Sequence, residues 1–121
     1  MDRSNLSGLR VLVVEDEALI SMFIEDTLTD LGCIAVGIAS GFQDAMDKLS
    51  SVTFDVAILD VNLNGTHTYP LAECLKEKRV PFVFSTGYGS SGVPEAFRSV
   101  PILSKPFKDG DLRRALQSAF T

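Results

Sequence analysis

The sequence predicts an α/β fold, a doubly wound parallel sheet with helices on both faces. Short continuous apolar runs, which are typical of strands covered on both sides, alternate along the chain with segments of helical periodicity. Five such β/α units follow one another. With 121 residues and 45% hydrophobic content, the chain can bury one core but is too short for two ordinary domains. We therefore expect a single domain over residues 1–121, with its core between about residues 9 and 119.

The first unit comprises a strand over Arg10–Val14 and a helix that ends at Gly32. An acidic first turn is expected for this helix, because negative side chains are favoured at a helix N-terminus. The helix places four apolar side chains on one stripe, namely Ile20, Ile24, Leu28 and Leu31.

The second unit begins with a strand over Ile34–Ile38. The spacing of Ser40 and Gln43 resembles a capping box, which predicts the start of a short second helix. Its apolar residues follow the i, i+3, i+4, i+7 rule at Phe42, Ala45, Met46 and Leu49.

The last three strands are predicted at Phe54–Leu59, Phe82–Ser85 and Ile102–Ser104. The third helix lies between Thr68 and Lys78. The final helix carries four apolar residues on its inner face, which are Leu112, Ala115, Leu116 and Ala119.

The segment Gly87–Pro94 stands where a fourth helix belongs but contains three glycines, two serines and a proline. Such a composition disfavours a helix and favours mobility. We expect at most a turn or two over Glu95–Ser99, so that the fourth helix is short or mobile.

Composition excludes several classes of protein. Eleven basic residues against 16 acidic ones give a formal net charge of -5, which opposes direct binding to the phosphate backbone of nucleic acids. Cys33 and Cys74 lack metal-ligand spacing, so we expect buried, reduced thiols and no structural zinc. The N-terminal stretch has no apolar signal core and no apolar run could span a bilayer, which predicts a cytoplasmic protein without membrane insertion.

Residues suited to phosphoryl chemistry stand at the ends of four predicted strands. Because the carboxyl ends of parallel strands share one edge of the sheet, side chains from distant positions can meet there in one crevice. These residues are Glu15-Asp16, Asp60, Thr86 and Lys105-Pro106.

The three acids would repel one another by roughly 4 kcal/mol per pair at about 4 Å and an effective dielectric near 20, so a cation must compensate. Oxygen ligands on short loops suit Mg²⁺. The carboxylate of Asp60 stands before an open loop and is a candidate nucleophile, which makes a covalent aspartyl phosphate plausible. Thr86 could hydrogen-bond a phosphoryl oxygen and Lys105 could pair with another.

Each of these residues could also have a purely structural role. A single Asp or Thr after a strand is more often a turn former or a helix cap, and Lys105 could be a solvated charge. The acids Glu15-Asp16-Glu17 could simply begin a helix. Because these residues all stand at predicted strand ends and in this order, it is improbable that such structural roles explain all of them.

Four motifs contain these residues, namely Val-Leu-Val-Val-Glu15-Asp16-Glu, Val-Ala-Ile-Leu-Asp60-Val-Asn-Leu, Phe-Ser-Thr86-Gly and Ile-Leu-Ser-Lys105-Pro-Phe. In order and spacing they resemble the motifs of response-regulator receiver domains, and the resemblance runs from about Leu9 to Ala119. It implies a stand-alone receiver without an output domain. It also implies a flavodoxin-like, five-stranded parallel sheet of order 2-1-3-4-5.

By the same resemblance, Asp60 accepts a phosphoryl group from a histidine kinase or a histidine phosphotransfer protein. Thr86 and Lys105 sense the phosphate, and the bond between Lys105 and Pro106 is cis. Mg²⁺ is held by Glu15, Asp16, Asp60 and the backbone carbonyl of Asn62. The receiver is then not an enzyme acting on outside substrates, and it signals by changing its binding to a downstream protein.

Two departures from the family pattern affect the expected switch. Many receivers carry an aromatic residue three positions before the lysine, but that position is Ile102 here. The run from Phe84 to Tyr88 instead resembles a subgroup with a Phe-Ala-Thr-Gly-aromatic signature, with Ser85 in place of the alanine. Tyr88 is then a candidate switch residue, and Asn62 and Tyr88 occupy positions that tune the lifetime of the phosphate.

Other functions remain in view. A haloacid-dehalogenase-type phosphatase would need an acid at Asn62, and in a flavodoxin Glu15-Asp16-Glu17 would repel the phosphate of FMN. A pseudo-receiver adaptor that binds a partner without phosphorylation is opposed by the complete set of acids with Thr86 and Lys105. His67, the single histidine, is expected to be an exposed loop residue near the site.

Overall fold

The computed structural model describes residues 5–87 and 93–120 of the chain. Seven strands and four α-helices follow one another in these residues, with a 3₁₀ helix over Glu95–Phe97. The elements are β1 (Arg10–Val14), α1 (Ala18–Asp30), β2 (Ile34–Ala39), α2 (Phe42–Ser51), β3 (Val56–Asp60), β4 (Asn62–Leu63), β5 (Thr66–His67), α3 (Tyr69–Glu77), β6 (Phe82–Thr86), β7 (Ile102–Ser104) and α4 (Asp109–Ser118).

The main sheet has five strands in the order β2-β1-β3-β6-β7, and every neighbouring pair is parallel. This arrangement confirms the predicted order 2-1-3-4-5, since β6 and β7 are the fourth and fifth strands of the main sheet. The third and fourth main strands each extend one residue further than predicted, so that Asp60 and Thr86 are themselves the last residues of β3 and β6.

Two layers of side chains enclose the sheet. On one side, which we call the α1–α4 face, alternate strand residues such as Val13, Ile58, Val83 and Leu103 pack against α1 and α4. On the other side, the α2–α3 face, the intervening residues of the same strands pack against α2, α3 and Phe97. A fully buried Leu, Ile, Val or Phe contributes roughly 1.5–3 kcal/mol, so both layers hold the strand ends in place.

Two predictions about helix starts are wrong. The first turn of α1 contains no acid, because Glu15 still donates its backbone N–H to Ala39 at 3.0 Å in the sheet and the helix begins only at Ala18. The capping box at Ser40 is absent as well. β2 continues through Ala39, and the N-cap residue of α2 is Gly41, which has no side chain to form a capping hydrogen bond.

The other helices follow the prediction closely. Gly32, at φ +83°, ends α1, and α3 lies within the predicted bounds. Between β6 and β7, where the sequence predicts a short or mobile helix, the described residues contain only the three-residue 3₁₀ helix over Glu95–Phe97. The remainder of the predicted mobile segment, residues 88–92, lies outside the described residues.

Two further observations bear on composition. Cys33 is buried and Cys74 is half-buried, and both are free thiols. Within residues 5–87 and 93–120, every helix is too short or too polar to cross a bilayer.

Candidate functional site

Four of the predicted residues meet at the carboxyl edge of the sheet. Glu15 directly follows β1, Asp60 ends β3, Thr86 ends β6 and Lys105 directly follows β7. Backbone hydrogen bonds continue past the strands, since Lys105 N–H donates to the Thr86 carbonyl at 2.9 Å. The sheet itself therefore fixes the relative positions of these side chains.

Three carboxylates form a cluster at this edge. One oxygen from each of Glu15, Asp16 and Asp60 lies within 4.8 Å of the other two. Glu15 is 2% exposed and Asp60 is 5% exposed, so two of the three charges are almost removed from water. The cluster is therefore a concentrated, buried source of negative potential.

Lys105 faces this cluster with a single positive charge. Its Nζ lies 3.0 Å from Glu15 Oε1 and 3.1 Å from Asp60 Oδ2, and 3.9 Å from Glu17 Oε1. One ammonium thus stands against several carboxylates. The site remains net negative and suits an additional cation.

Backbone amides hold each carboxylate in its orientation. Asn62 N–H donates to Asp60 Oδ1 at 3.2 Å, and Glu17 N–H donates to Glu15 Oε2 at 3.1 Å. Asp16 Oδ2 accepts a hydrogen bond of 2.9 Å from the backbone of Asn64. These bonds preorganise the oxygens of the cluster.

Burial and the neighbouring charges shift the pKa values in opposite directions. Burial is the main cause that raises the pKa of Glu15 to about 7, and the Asp60 charge adds to it. Burial also raises the pKa of Asp60, against the hydrogen bonds from Asn62 and Lys105. For Lys105, burial alone would lower the pKa, but its bonds to Glu15 and Asp60 raise it above the usual value. Shifts of this kind are typical of functional sites.

Asp16 differs from the other two acids. Burial alone would raise its pKa, but several hydrogen bonds, of which that from the Asn64 backbone is the strongest, together outweigh burial and hold the pKa below its usual value. Asp16 therefore stays ionised when Glu15 is protonated. A cation would find at least one permanent negative ligand.

A small hairpin beside the site was not predicted. β4 and β5 pair antiparallel around Asn64-Gly65, whose φ values are +50° and +86°. Positive φ at both turn residues is typical of the type I′ turn that an Asn-Gly pair favours, so the signal was present in the sequence. The hairpin places the Asn64 amide against Asp16.

Thr68 is a second residue that sequence reasoning missed. It is fully buried, and its hydroxyl donates to the Asp60 carbonyl at 2.7 Å. Thr68 thereby ties the start of α3 to the last residue of β3. A threonine eight residues after an aspartate carries no local sequence signal for such a bond.

Aromatic side chains form one wall of the cleft above the acids. His67 is exposed, as expected, and its ring lies 5.4 Å from that of Tyr69. Tyr69 stacks on Phe97 and meets Phe84 edge-on, each at 5.9 Å between ring centres. The cleft has a volume of about 680 Å³ and is lined by Asp16, Glu17, Asp60, Val61, Asn62, Asn64, His67, Tyr69, Thr86, Gly87 and Lys105.

The remaining predicted residues have mixed outcomes. The Lys105–Pro106 bond is cis, as the resemblance implies. Ile102 is half-buried and packs on the α2–α3 face. Tyr88, the candidate switch residue, lies outside the described residues. The role of the Asn62 carbonyl as a metal ligand stays a prediction.

The sequence model of the family described as the response regulator receiver domain matches residues 11–117. The chain belongs to this family. The matched residues include all three acids of the cluster together with Thr86 and Lys105.

Several proteins resemble this receiver domain. "Transcriptional regulatory protein PdtaR" from Mycobacterium tuberculosis is 32% identical over 114 residues, which cover 91% of this chain and 56% of that protein. The solution structure of SdrG from Sphingomonas melonis Fr1 is 38% identical with a TM-score of 0.85, covering 94% of this chain and 98% of SdrG. The chain spans about half the length of the curated relatives it matches.

Two further solved structures extend the likeness. SdrG in its BeF3-activated conformation is 39% identical with a TM-score of 0.81, covering 95% of this chain and 99% of that one. A mutant of the anti-anti-sigma factor PhyR from Bartonella quintana is 26% identical with a TM-score of 0.82, covering 96% of this chain and 50% of that one. Receiver domains generally bind Mg²⁺ at an acidic pocket, and the donor set of three carboxylates fits such a hard cation.

Proposed function

We propose that this receiver domain accepts a phosphoryl group on Asp60 from a histidine kinase or a histidine phosphotransfer protein. The observation that carries the proposal is the position of the Asp60 carboxylate, which lines the open cleft and lies 3.1 Å from Lys105 beside two further acids. A carboxylate that only stabilised the fold would not need this excess of negative charge around it.

The proposed step is a displacement at phosphorus. An Asp60 carboxylate oxygen forms the new O–P bond while the N–P bond to the donor imidazole breaks, and the imidazole nitrogen leaves with the electron pair. Lys105 is in place to pair with a phosphoryl oxygen, and Thr86, which lines the same cleft, is in place to donate a hydrogen bond. Both groups act by position and charge.

Mg²⁺ fits this proposal as the bound cation. Glu15, Asp16, Asp60 and the backbone carbonyl of Asn62 would hold it, and when bound it supplies positive charge against the transferring phosphoryl group. The amides that orient Asp16 and Asp60 are already bonded to them, so these ligands need little rearrangement.

The output we propose is changed binding to a downstream protein, without turnover of outside substrates. The BeF3-activated form of SdrG supports a receiver that responds to a phosphoryl mimic, and the name of PhyR, an anti-anti-sigma factor, supports a protein partner. The net charge of -5 argues against nucleic acid as the direct partner.

Intact-mass spectrometry tests the acceptor directly. The protein is incubated with Mg²⁺ and acetyl phosphate, and we expect a gain of one phosphoryl group that hydroxylamine removes, as it does for an acyl phosphate. Asp60→Asn should abolish the gain. Asp26→Asn, which changes an exposed aspartate on α1, should leave it intact and serves as the matched control.

A second spectroscopic measurement separates the two candidate functions. Beryllofluoride with Mg²⁺ mimics the aspartyl phosphate, and we expect amide NMR shifts that spread from Asp60 to Thr86 and Lys105. If the folded protein shows neither phosphorylation nor these shifts, the acceptor function is wrong. A pseudo-receiver adaptor would then be the better account.

A further inference from the structure

Ser85 is a buried polar residue for which the fold offers no explanation. It lies in β6, is fully buried, and its hydroxyl has no hydrogen-bond partner among the residues that the structure describes. Leaving a buried hydroxyl unpaired is destabilising, because no hydrogen bond compensates for its removal from water. The three residues before it, Phe82–Phe84, are all apolar. A serine at this position therefore destabilises the free protein.

The strand register places Ser85 among the site residues. Its direct neighbour on β3 is Asp60, and its neighbour on β7 is Leu103. Strand residues two apart share a face, so Ser85 lies on the α1–α4 face together with Val83. The same alternation places Asp60 on this face with Ile58.

The route of the Lys105 side chain passes over this serine. The sheet order is β3-β6-β7, so β6 separates the strand that leads into Lys105 from the strand that ends in Asp60. Neighbouring strands are about 4.8 Å apart. To bring Nζ within 3.1 Å of Asp60 and 3.0 Å of Glu15, the lysine side chain must cross β6 on the α1–α4 face, where Ser85 lies.

We propose that Ser85 is a positioning residue for Lys105, with its hydroxyl oxygen accepting a hydrogen bond from the ammonium in the phosphorylated state. This inference rests on the proposed function. An ammonium has three N–H donors, and in the free protein Glu15 and Asp60 lie within ion-pair distance of it. Phosphorylation makes one Asp60 oxygen the bridging oxygen of an acyl phosphate, and a bound cation draws on the other carboxylate oxygens, so the lysine loses carboxylate acceptors. The Ser85 hydroxyl replaces one of them and keeps Lys105 directed at the phosphoryl group.

Ser85→Ala gives opposite results in the two states. In the free protein, urea denaturation should show unchanged or higher stability, because the variant removes an unpaired buried hydroxyl. In the presence of Mg²⁺, the apparent affinity for beryllofluoride should fall about tenfold, as expected for the loss of one hydrogen bond to a charged group. The exposed hydroxyl of Ser104, one residue before Lys105, provides the control Ser104→Ala, which should change neither quantity.

A second pair of variants separates the hydroxyl from packing. Ser85→Thr and Ser85→Val have nearly the same shape, but only threonine keeps the hydroxyl, so the threonine variant should bind beryllofluoride more tightly. The NMR signals of the Lys105 side chain should shift on activation in the wild type and shift less in Ser85→Ala. The positioning role would be overturned if wild type and Ser85→Ala bound beryllofluoride equally and Ser85→Thr and Ser85→Val also bound it equally. Weakened binding with an unaltered shift of the Lys105 signals would overturn it as well.

The controls also distinguish the two proposals. If wild-type protein fails to respond to beryllofluoride, the proposed function itself is wrong. If the wild type responds and Ser85→Ala responds with the same affinity, only the role of Ser85 is wrong.

Discussion

The two ends of β1 and β3 carry ion pairs of different kinds. At the amino end, Arg10 and the residue before β3, Asp55, form a one-to-one pair with two side-chain hydrogen bonds of 3.0 and 3.2 Å. Asp55 also accepts a bond from the Arg10 backbone N–H. At the carboxyl end of the same strands, Glu15 and Asp60 share the single ammonium of Lys105.

Balance and exposure separate a structural pair from a functional one here. The Arg10 and Asp55 side chains are 44% and 24% exposed and their charges cancel, so the pair joins two strands at little electrostatic cost. At the carboxyl end, Glu15 and Asp60 are buried, and the single charge of Lys105 does not neutralise both of them. A surplus that weakens the fold is understandable only if something else neutralises it.

The largest effect should follow from removing the positive charge of Lys105. Without divalent ions, Lys105→Met should lower the free energy of unfolding by roughly 3–5 kcal/mol, since it leaves buried carboxylates unpaired. Urea denaturation followed by circular dichroism would measure it. Arg10→Met at the amino end should cost clearly less, and equal losses at the two ends would contradict the distinction drawn between them.

Magnesium should stabilise the protein through the carboxyl end alone. At a concentration one hundred times its dissociation constant, Mg²⁺ should raise the free energy of unfolding by about 2.7 kcal/mol, and a chelator should reverse the gain. Asp16→Asn should reduce this response in thermal denaturation. Asp55→Asn should retain it in full, because that carboxylate belongs to the amino end.

The pH dependence should also originate at the carboxyl end. The pKa of Glu15 is about 7 in the folded protein against an ordinary value of 4.5, so between these values the folded state holds a proton that the unfolded state releases. The free energy of unfolding without Mg²⁺ should therefore fall by roughly 3 kcal/mol as pH rises through this window and level off above it.

Denaturation curves measured from about pH 5 to about pH 8 would test that slope. Glu15→Gln should flatten it, whereas a slope that survives this substitution would assign it to another group. Because the proton competes with the cation, the apparent affinity for Mg²⁺ should rise over the same window.

The smallest effect is expected for two aspartates at opposite ends of β3, Asp55 and Asp60. Burial raises the pKa of Asp60, so its charged form is disfavoured in the fold, and Asp60→Asn should slightly raise the free energy of unfolding without divalent ions. Asp55→Asn should lower it, because that carboxylate has a full set of partners. Calorimetry on both variants gives the two signs, and the same sign for both would contradict the contrast.

The sheet and the convergence of the site could be predicted from the sequence. Apolar runs mark the strands independently of tertiary context, and parallel topology brings Asp60, Thr86 and Lys105 to one edge whatever the details of the loops. Element boundaries, in contrast, depend on tertiary contacts. Whether Glu15 continues a ladder or begins a helix depends on Ala39, a residue on another strand.

The missed features depend on distant or very short elements. Each strand of the β4–β5 hairpin has two residues, too few for any periodicity, although Asn64-Gly65 signalled its turn. The pKa of Glu15 depends on burial by several elements, and the bond from Thr68 to the Asp60 carbonyl depends on where α3 docks. Such quantities belong to the assembled fold.

The strand order also ties signalling to completion of folding. The acids come from β1 and β3, whereas Lys105 follows β7, the strand at the far edge of the sheet. Contacts so distant along the chain form slowly, because a long loop must close before they stabilise anything. A partly folded chain that has paired only β1 with β3 has its carboxylates but no lysine. In the proposed function, such a chain lacks the ammonium that pairs with the phosphoryl group, so signalling requires that the last strand has docked.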